Sequence, residues 1–451
     1  MKLKLVVASM SVLGLISCPV LAATHAKHRH HVAHRHHVVT STTDYKAMGA
    51  LPVQPAPVVE TCPLADPLQA TLDAMGQNTG RAKPTEDCNK LISFAGGANF
   101  DGKWGNRSMG YQGVNNQRLS LNDVYLNIIG NVNDWSKAFA SISYGNPSAA
   151  DPNTKHPLGA YSNVYKVDSL NLEQGFIRFA NFDQSPVFAQ LGKQFQPFGR
   201  YQIHALTRSL AQSLSESLKT SAEVGFVSRT GVNGAVYAFD NSIKERTAAP
   251  LASSIQGHTK TVYGAELGFA QPNDQLGYDL GVGYMSNMTG VNDIAQAVSN
   301  FNGNRGYNNR VGGIAVFGDM NSGPFTVGAH YVTAIQRFNG NDLLARSNNG
   351  VNTRGAKPWA GDVQVGFGFN NMLGLNNWTK TQNVYVGYQA SGDAVNISLP
   401  KNRWVAGYGV DMWKNANIGL EVTHDTDYST TNGGSGSSSN TIGVRASVKF
   451  G

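Results

Sequence analysis

Glycine supplies 50 of the 451 residues and charged residues only 14%, where a soluble enzyme of this size carries about 25% charged residues. The formal net charge of +7 does not signal a nucleic-acid partner. Lys2, Lys4, Lys27, Arg29, Arg35 and Lys46 against Asp44 and Glu60 place much of it in residues 1–60, and the rest of the chain carries about +3.

In chain order, Lys2 and Lys4 precede an apolar run, Leu5 to Ile16, and the small-residue stretch Val20-Leu21-Ala22-Ala23. This predicts a secretory signal peptide over 1–23, too short to span a bilayer as a helix. Leu15-Ile16-Ser17-Cys18 also reads as a lipoprotein box, so lipidation at Cys18 stands as the alternative to cleavage at Ala22 or Ala23. In an oxidising compartment a disulfide between Cys62 and Cys88 is the default, with two free thiols as the alternative. Residues 24–89 form a His-rich and Pro-rich periplasmic extension. Seven of the twelve histidines lie between His25 and His37, and Pro52-Val53-Gln54-Pro55-Ala56-Pro57 reads as an extended linker. The imidazoles of His28, His30, His31, His34, His36 and His37 suit Zn, Cu or Ni. Their irregular spacing fixes no ligand geometry, and a flexible cationic tether is the plainer reading. Around Asp66 to Met75 a short helix would carry Leu68, Leu72 and Met75 on one face.

From residue 90 to 451 the pattern has period two. Leu276, Tyr278, Leu280, Val282 and Tyr284 alternate with Gly277, Asp279, Gly281 and Gly283; Val363, Val365, Phe367 and Phe369 alternate with Asp362, Gln364, Gly366 and Gly368. One face suits lipid and the other water. About sixteen such segments start near 92, 118, 135, 168, 187, 219, 231, 259, 275, 310, 324, 356, 376, 401, 416 and 439. Turn-like connections such as Asn131-Val132-Asn133-Asp134 and Asn321-Ser322-Gly323-Pro324 alternate with long ones such as 147–166, 240–258, 289–309, 338–355 and 425–438. The fold class is therefore all-β, a transmembrane outer-membrane β-barrel of about sixteen antiparallel strands with short periplasmic turns and long outer loops. Trp104, Trp359 and Trp404 fall at the outer rim and Trp135, Trp378 and Trp413 at the periplasmic rim, as interfacial girdles do. Such a chain requires lipid and lipopolysaccharide around it and barrel-assembly machinery to insert it; porins of this size are often homotrimers.

No histidine, including His204, His258, His330 and His424, sits in a nucleophile motif, so the expectation is a protein that is not an enzyme and needs no cofactor. His330 alternates inward. The connection Pro197 to Ser217, the third outer loop, is expected to fold into the lumen. There Arg200, His204 and Arg208 would share one face of a helix at i, i+4, i+8, with Lys193 just upstream. A cationic strip in a narrow lumen favours polyanions; the alternative is a surface loop. Other lumen charges are mixed: Glu223, Glu266, Asp279, Asp362 and Glu421 against Arg403, Arg445 and Lys449.

The stretch Gly175-Phe176-Ile177-Arg178-Phe179-Ala180-Asn181-Phe182 and then Pro186-Val187-Phe188-Ala189-Gln190-Leu191-Gly192-Lys193-Gln194-Phe195-Gln196-Pro197-Phe198-Gly199-Arg200-Tyr201 resembles LbtU-type siderophore porins, the legiobactin-receptor type. Its Gly-Lys-Gln-x-x-Pro-Phe-Gly core is also similar to phosphate-selective porins. The resemblance implies uptake of a ferric siderophore of polycarboxylate type without a TonB-dependent plug. The stretch between leader and barrel, about 65 residues, is too short for a plug domain. The His-rich segment departs from the coiled-coil-like periplasmic segment of that family. The alternatives are a diffusion porin for small anions such as phosphate, and a surface adhesin.

Overall fold

A strand with one apolar face and one polar face is stable where the first meets lipid and the second meets water, provided its backbone groups are paired on both edges. The computed structural model describes Leu72, Met75 and residues 91–105, 118–145, 169–201, 206–246, 257–271, 276–302, 306–345, 354–369, 379–412 and 415–451, all within Thr61–Gly451. The leader, the His-rich segment, Leu68, Cys62 and Cys88 lie outside the described residues. Sixteen strands meet this condition by closing on themselves. They are β1 (Ile92–Gly105), β2 (Arg118–Asn131), β3 (Ser136–Gly145), β4 (Ser169–Ala180), β5 (Val187–Phe195), β6 (Leu218–Val227), β7 (Val232–Asp240) and β8 (Thr261–Gln271). The second half comprises β9 (Leu276–Met285), β10 (Gly313–Ser322), β11 (Phe325–Ala334), β12 (Trp359–Phe369), β13 (Thr379–Gly392), β14 (Asn402–Met412), β15 (Ala416–Thr426) and β16 (Ser438–Phe450). Every strand start falls within three residues of the position read from the alternation.

Each strand pairs antiparallel with its sequence neighbour, and β16 closes on β1 through a register running from Gly96 opposite Phe450 to Gly105 opposite Thr441. Closure leaves no free strand edge. Strands of nine to fourteen residues match or exceed the roughly 9–11 residues that a tilted strand needs to cross a bilayer. No helix among the described residues is long and apolar enough to do so.

The side-chain distribution is that of a soluble protein turned inside out. Phe94, Ile177, Leu191, Val236, Leu267, Leu280, Val316, Val365, Val386 and Leu420 are exposed on the outer face, while Asp101, Glu223, Glu266, Asp279, Asp362 and Glu421 are buried within. Trp104 is the penultimate residue of β1, Trp359 opens β12 and Trp404 is the third residue of β14, all at the outer end, with Trp135 beside the periplasmic turn before β3; Trp378 and Trp413 lie outside the described residues. Tyr388 stands directly opposite Trp404, ring centroids 4.7 Å apart, a cross-strand aromatic pair at the interface.

The turns follow from their residues. Asn133 Oδ1 accepts from the backbone N–H of Trp135 (2.9 Å) and Ser136 (2.8 Å), an Asx turn. Gly323, at φ +54°, supplies the left-handed first position of the two-residue link between β10 and β11. The outer connections are long, and one contains an eleven-residue helix, α2 (Asn292–Asn302); a four-residue helix, α1 (Leu210–Ser213), lies in the third.

Leu267 sits near the middle of β8 on the lipid face. Leu267→Arg is expected to destabilise the barrel by about 2–4 kcal/mol, and Thr261→Arg, at the outer end of the same strand, by about 0–1 kcal/mol. Urea unfolding in lipid vesicles measures both.

Candidate pore constriction

The connection between β5 and β6 enters the barrel. Its neck is closed by Gln196 N–H donating to the Ser217 carbonyl at 2.8 Å. Phe198 is wholly buried, and Gly199 at φ +90° turns the chain so that its N–H donates to Glu266 Oε2 (3.1 Å). The next residue, Arg200, is the anchor. Its Nε donates to Glu266 Oε1 at 2.8 Å, its Nη1 to Asp279 Oδ1 at 2.7 Å and its Nη2 to Asn233 Oδ1. The guanidinium carbon lies 5.1 Å from the centre of the Phe317 ring. One side chain thus holds the loop to β7, β8, β9 and β10. Tyr201 follows, its ring 5.1 Å from that of His330 on β11. His330 is itself held between Asp362 (Nδ1 to Oδ1, 2.6 Å) and Asp319 (Nε2 to Oδ2, 3.3 Å).

The chain then reaches the opposite wall. The backbone N–H groups of Leu206 and Thr207 donate to the Glu421 carboxylate on β15 at 2.6 and 3.1 Å, and Tyr385 Oη on β13 donates to it at 2.8 Å. Arg403 on β14 donates to the Arg208 carbonyl (3.3 Å), and Gln389 on β13 accepts from Leu210 N–H (3.1 Å). Ser209 caps α1 by accepting from Gln212 N–H, and Ser217 returns past the connection before α2, its hydroxyl donating to the Gly290 carbonyl at 2.9 Å. A segment tied to both walls of a barrel crosses its interior.

Three further outer loops pack over this crossing. Phe198, Leu210 and Leu214 share a buried apolar cluster with Met288, Val291 and Ile294 of the β9–β10 loop, Phe338 and Leu343 of the β11–β12 loop, and Ile397 and Leu399 of the β13–β14 loop. Asp342 stitches two of these together, accepting from Asn308 N–H at 2.8 Å; burial pushes its carboxyl above the usual aspartate range.

The sequence-derived site is partly rearranged. Arg200 and Arg208 do not share a helical face: no described residue from 196 to 209 is helical, and α1 begins only at Leu210. The Leu206 and Thr207 N–H groups, which a helix running on from Arg200 would give to carbonyls four residues back, go instead to Glu421, and His204 lies outside the described residues. Arg200 is neutralised by two carboxylates rather than displayed to the lumen. Arg208 lies 2.9 Å from Asp293 at the start of α2 and 3.4 Å from Glu216. Lys193 shares the parity of the outward residues Val187 and Leu191 near the outer end of β5 and donates to the Leu172 carbonyl at 2.7 Å. In a strand one residue is enough to change the face.

The inward assignments of Glu223, Glu266, Asp279, Asp362, Glu421 and Arg403 match their burial, while Lys449 lies exposed at the periplasmic end of β16. Wall arginines are held by two-pronged pairs: Arg403 with Asp425 (2.6 and 2.8 Å) and Arg445 with Asp101 (2.7 and 2.8 Å). Among the described residues no group of His, Cys, Asp and Glu is placed to hold a metal. Sequence reasoning missed Glu421 and Gln389 as loop anchors and α2 as a helix. Ile294, Ala295 and Val298 at helical spacing were the available signal for α2; nothing local marks a carboxylate as the partner of a loop some two hundred residues away.

No family model matches the chain. It is similar to a UPF0422 protein of Coxiella burnetii (25% identical over 333 residues, 73% of this chain and 64% of that protein). It is likewise similar to UPF0422 protein lpl2888 of Legionella pneumophila (26% over 363 residues, 74% and 62%). The match spans a little under two thirds of the length of these relatives. Among solved structures, Salmonella typhi OmpF in complex with daunomycin superposes with a TM-score of 0.50 at 12% identity, over 80% of this chain and 97% of that one. That likeness is one of fold. The chain is a β-barrel of the bacterial outer membrane, with the strand number at which porins enclose an aqueous channel.

Arg200→Ala would leave Glu266 and Asp279 buried without their cation, which costs about 3–5 kcal/mol for a buried pair. The expected result is a lowered unfolding midpoint and new protease cleavage within 196–217 of the folded barrel. Arg208→Ala also strips the cation from Asp293 and Glu216, but at a side chain 22% exposed water can take part of its place, so a smaller loss of midpoint is expected, with the Arg200 anchor left closed to protease.

Proposed function

We propose that this chain is an aqueous pore of the outer membrane in which the 196–217 loop sets the width and the charge pattern of the narrowest passage. The observation that carries this reading is the double anchoring of the loop, at Glu266 and Asp279 on one wall and at Glu421 on the other. A segment held at two walls gives a fixed cross-section, which a loop lying on the outer surface would not. The charges along it are arranged in opposed pairs, so the passage selects by shape and by local dipoles more than by a net field.

The cargo assigned here is a ferric siderophore of polycarboxylate type. Its support is the resemblance over 175–201, and those residues build β4, β5 and the first anchor of the loop, including Arg200. A bulky chelate bearing several carboxylates can address several ion pairs at once, whereas phosphate can address one.

The test is flux into proteoliposomes of a ferric polycarboxylate siderophore, inorganic phosphate and a neutral sugar, beside single-channel conductance in a planar bilayer. The expected result is an open pore with saturable siderophore entry, competed by excess unlabelled chelate. Phosphate flux proportional to concentration, with no saturable siderophore entry, would replace this reading with a small-anion diffusion porin. Absence of conductance would remove the pore altogether and favour a surface-binding role.

A further inference from the structure

One stretch of the inner wall carries aromatic rings where a water-filled lumen calls for polar side chains. On β3, Phe139 and Lys137 share the inward parity of the buried Ser141 and Ser143. On β4, Ile177 and Phe179 are exposed on the lipid face, so Phe176 and Arg178 face the lumen. Phe139 stands directly opposite Phe176, with ring centroids 5.0 Å apart and planes 29° from parallel. Both residues are half-buried. Ile129 on β2 is opposite Phe139 and Gly192 on β5 is opposite Phe176. Gly192 sits at φ +141°, where a Cβ would lie 2.6 Å from the Phe176 Cα, so β5 sends no side chain across the ring pair.

The next row toward the periplasm is cationic. Lys137 is directly opposite Arg178, and like charges so placed destabilise a strand pair. Arg178 Nε donates to Gln190 Oε1 at 2.8 Å, and the guanidinium carbon lies 5.4 Å from the centre of the Phe176 ring. Beyond it a row is apolar again, Ala180 opposite Phe188, with Leu72 and Met75 packed against it. The ring pair and the two cations form one surface near the periplasmic ends of β3 and β4. It lies midway between the two anchored walls: β4 is four strands from β8 and β3 four strands from β15, the strands whose Glu266 and Glu421 hold the constriction loop.

We propose that this surface is a binding station for aromatic carboxylates. The ring of the solute lies against Phe139 and Phe176, and its carboxylate sits between Lys137 and Arg178. An offset-stacked pair favours a further flat π face, and a carboxylate shared by two cations offsets their repulsion through charge-assisted hydrogen bonds. A compact anion leaves the rings uncovered, and a neutral ring leaves the cations facing each other. The inference rests on the pore reading above but not on the siderophore assignment, and it adds a second class of solute to the same passage.

The experiment titrates the full-length protein with benzoate, acetate and benzyl alcohol. Block of the ion current in planar bilayers is one readout, and calorimetric titration of the folded barrel in detergent is the other. Benzoate is expected to bind saturably and interrupt the current, at about fivefold or more lower concentration than acetate or benzyl alcohol. Phe139→Ala/Phe176→Ala is expected to weaken benzoate about tenfold and leave acetate unchanged. Phe139→Leu/Phe176→Leu, which keeps the apolar volume but removes the π faces, is expected to do the same and serves where the alanine pair fails to fold. Lys137→Gln is expected to weaken benzoate about threefold or more. Absence of benzoate binding, binding matched by acetate, or binding unchanged in the leucine pair would overturn the proposal. Calorimetric binding that follows these expectations in a protein that carries no current would instead overturn the pore reading and leave a binding site without a passage.

Discussion

The functional geometry depends on one buried contact, the guanidinium of Arg200 between Glu266 and Asp279. A carboxylate on a barrel wall is ordinarily satisfied by water. Two of them converging on one loop arginine, with Gly199 N–H and Asn233 completing the ring of partners, fix a backbone point inside the lumen. From that point the chain can reach Glu421 on the far side, and the apolar residues Leu210 and Leu214 are delivered to the loops that cover them. Without the first anchor, the second would have to hold a long segment alone against its conformational entropy.

The barrel itself was legible in the sequence because its constraint is local. Lipid on one side and water on the other force period two on every strand, and closure forces turns and loops to alternate. That is why strand starts such as Val187 and Asn402 were placed within a residue. The site was legible only by parity. Alternation placed Glu266, Asp279 and Glu421 inward but gave no information on which loop would meet them. It also misled at Arg200 and Arg208, where cationic spacing resembled a helix face. Tertiary contacts decide otherwise there: Glu421 takes the N–H groups of Leu206 and Thr207 that a helix would pair internally, and Ser209 starts a helix later by capping α1. Lys193 shows the limit of the same kind of reasoning, since a motif position says nothing about the face until the register is known.

The two ends of the barrel carry apolar contacts of different extent. On the outer side several loops form a small hydrophobic core on top of the crossing segment, built from Met288, Ile294, Phe338 and Leu399 among others. Such a core makes the outer half rigid, because moving one loop would expose the apolar faces of the rest. On the periplasmic side the contact is a single apolar row with two side chains seated on it.

The most direct test of the central claim is single-channel conductance of Glu266→Ala/Glu421→Ala against its parent. Loss of both wall anchors should free the 196–217 loop and give a larger, noisier conductance with a higher solute size limit. A conductance and size limit equal to the parent's, in a barrel that remains folded, would mean that the loop does not define the passage.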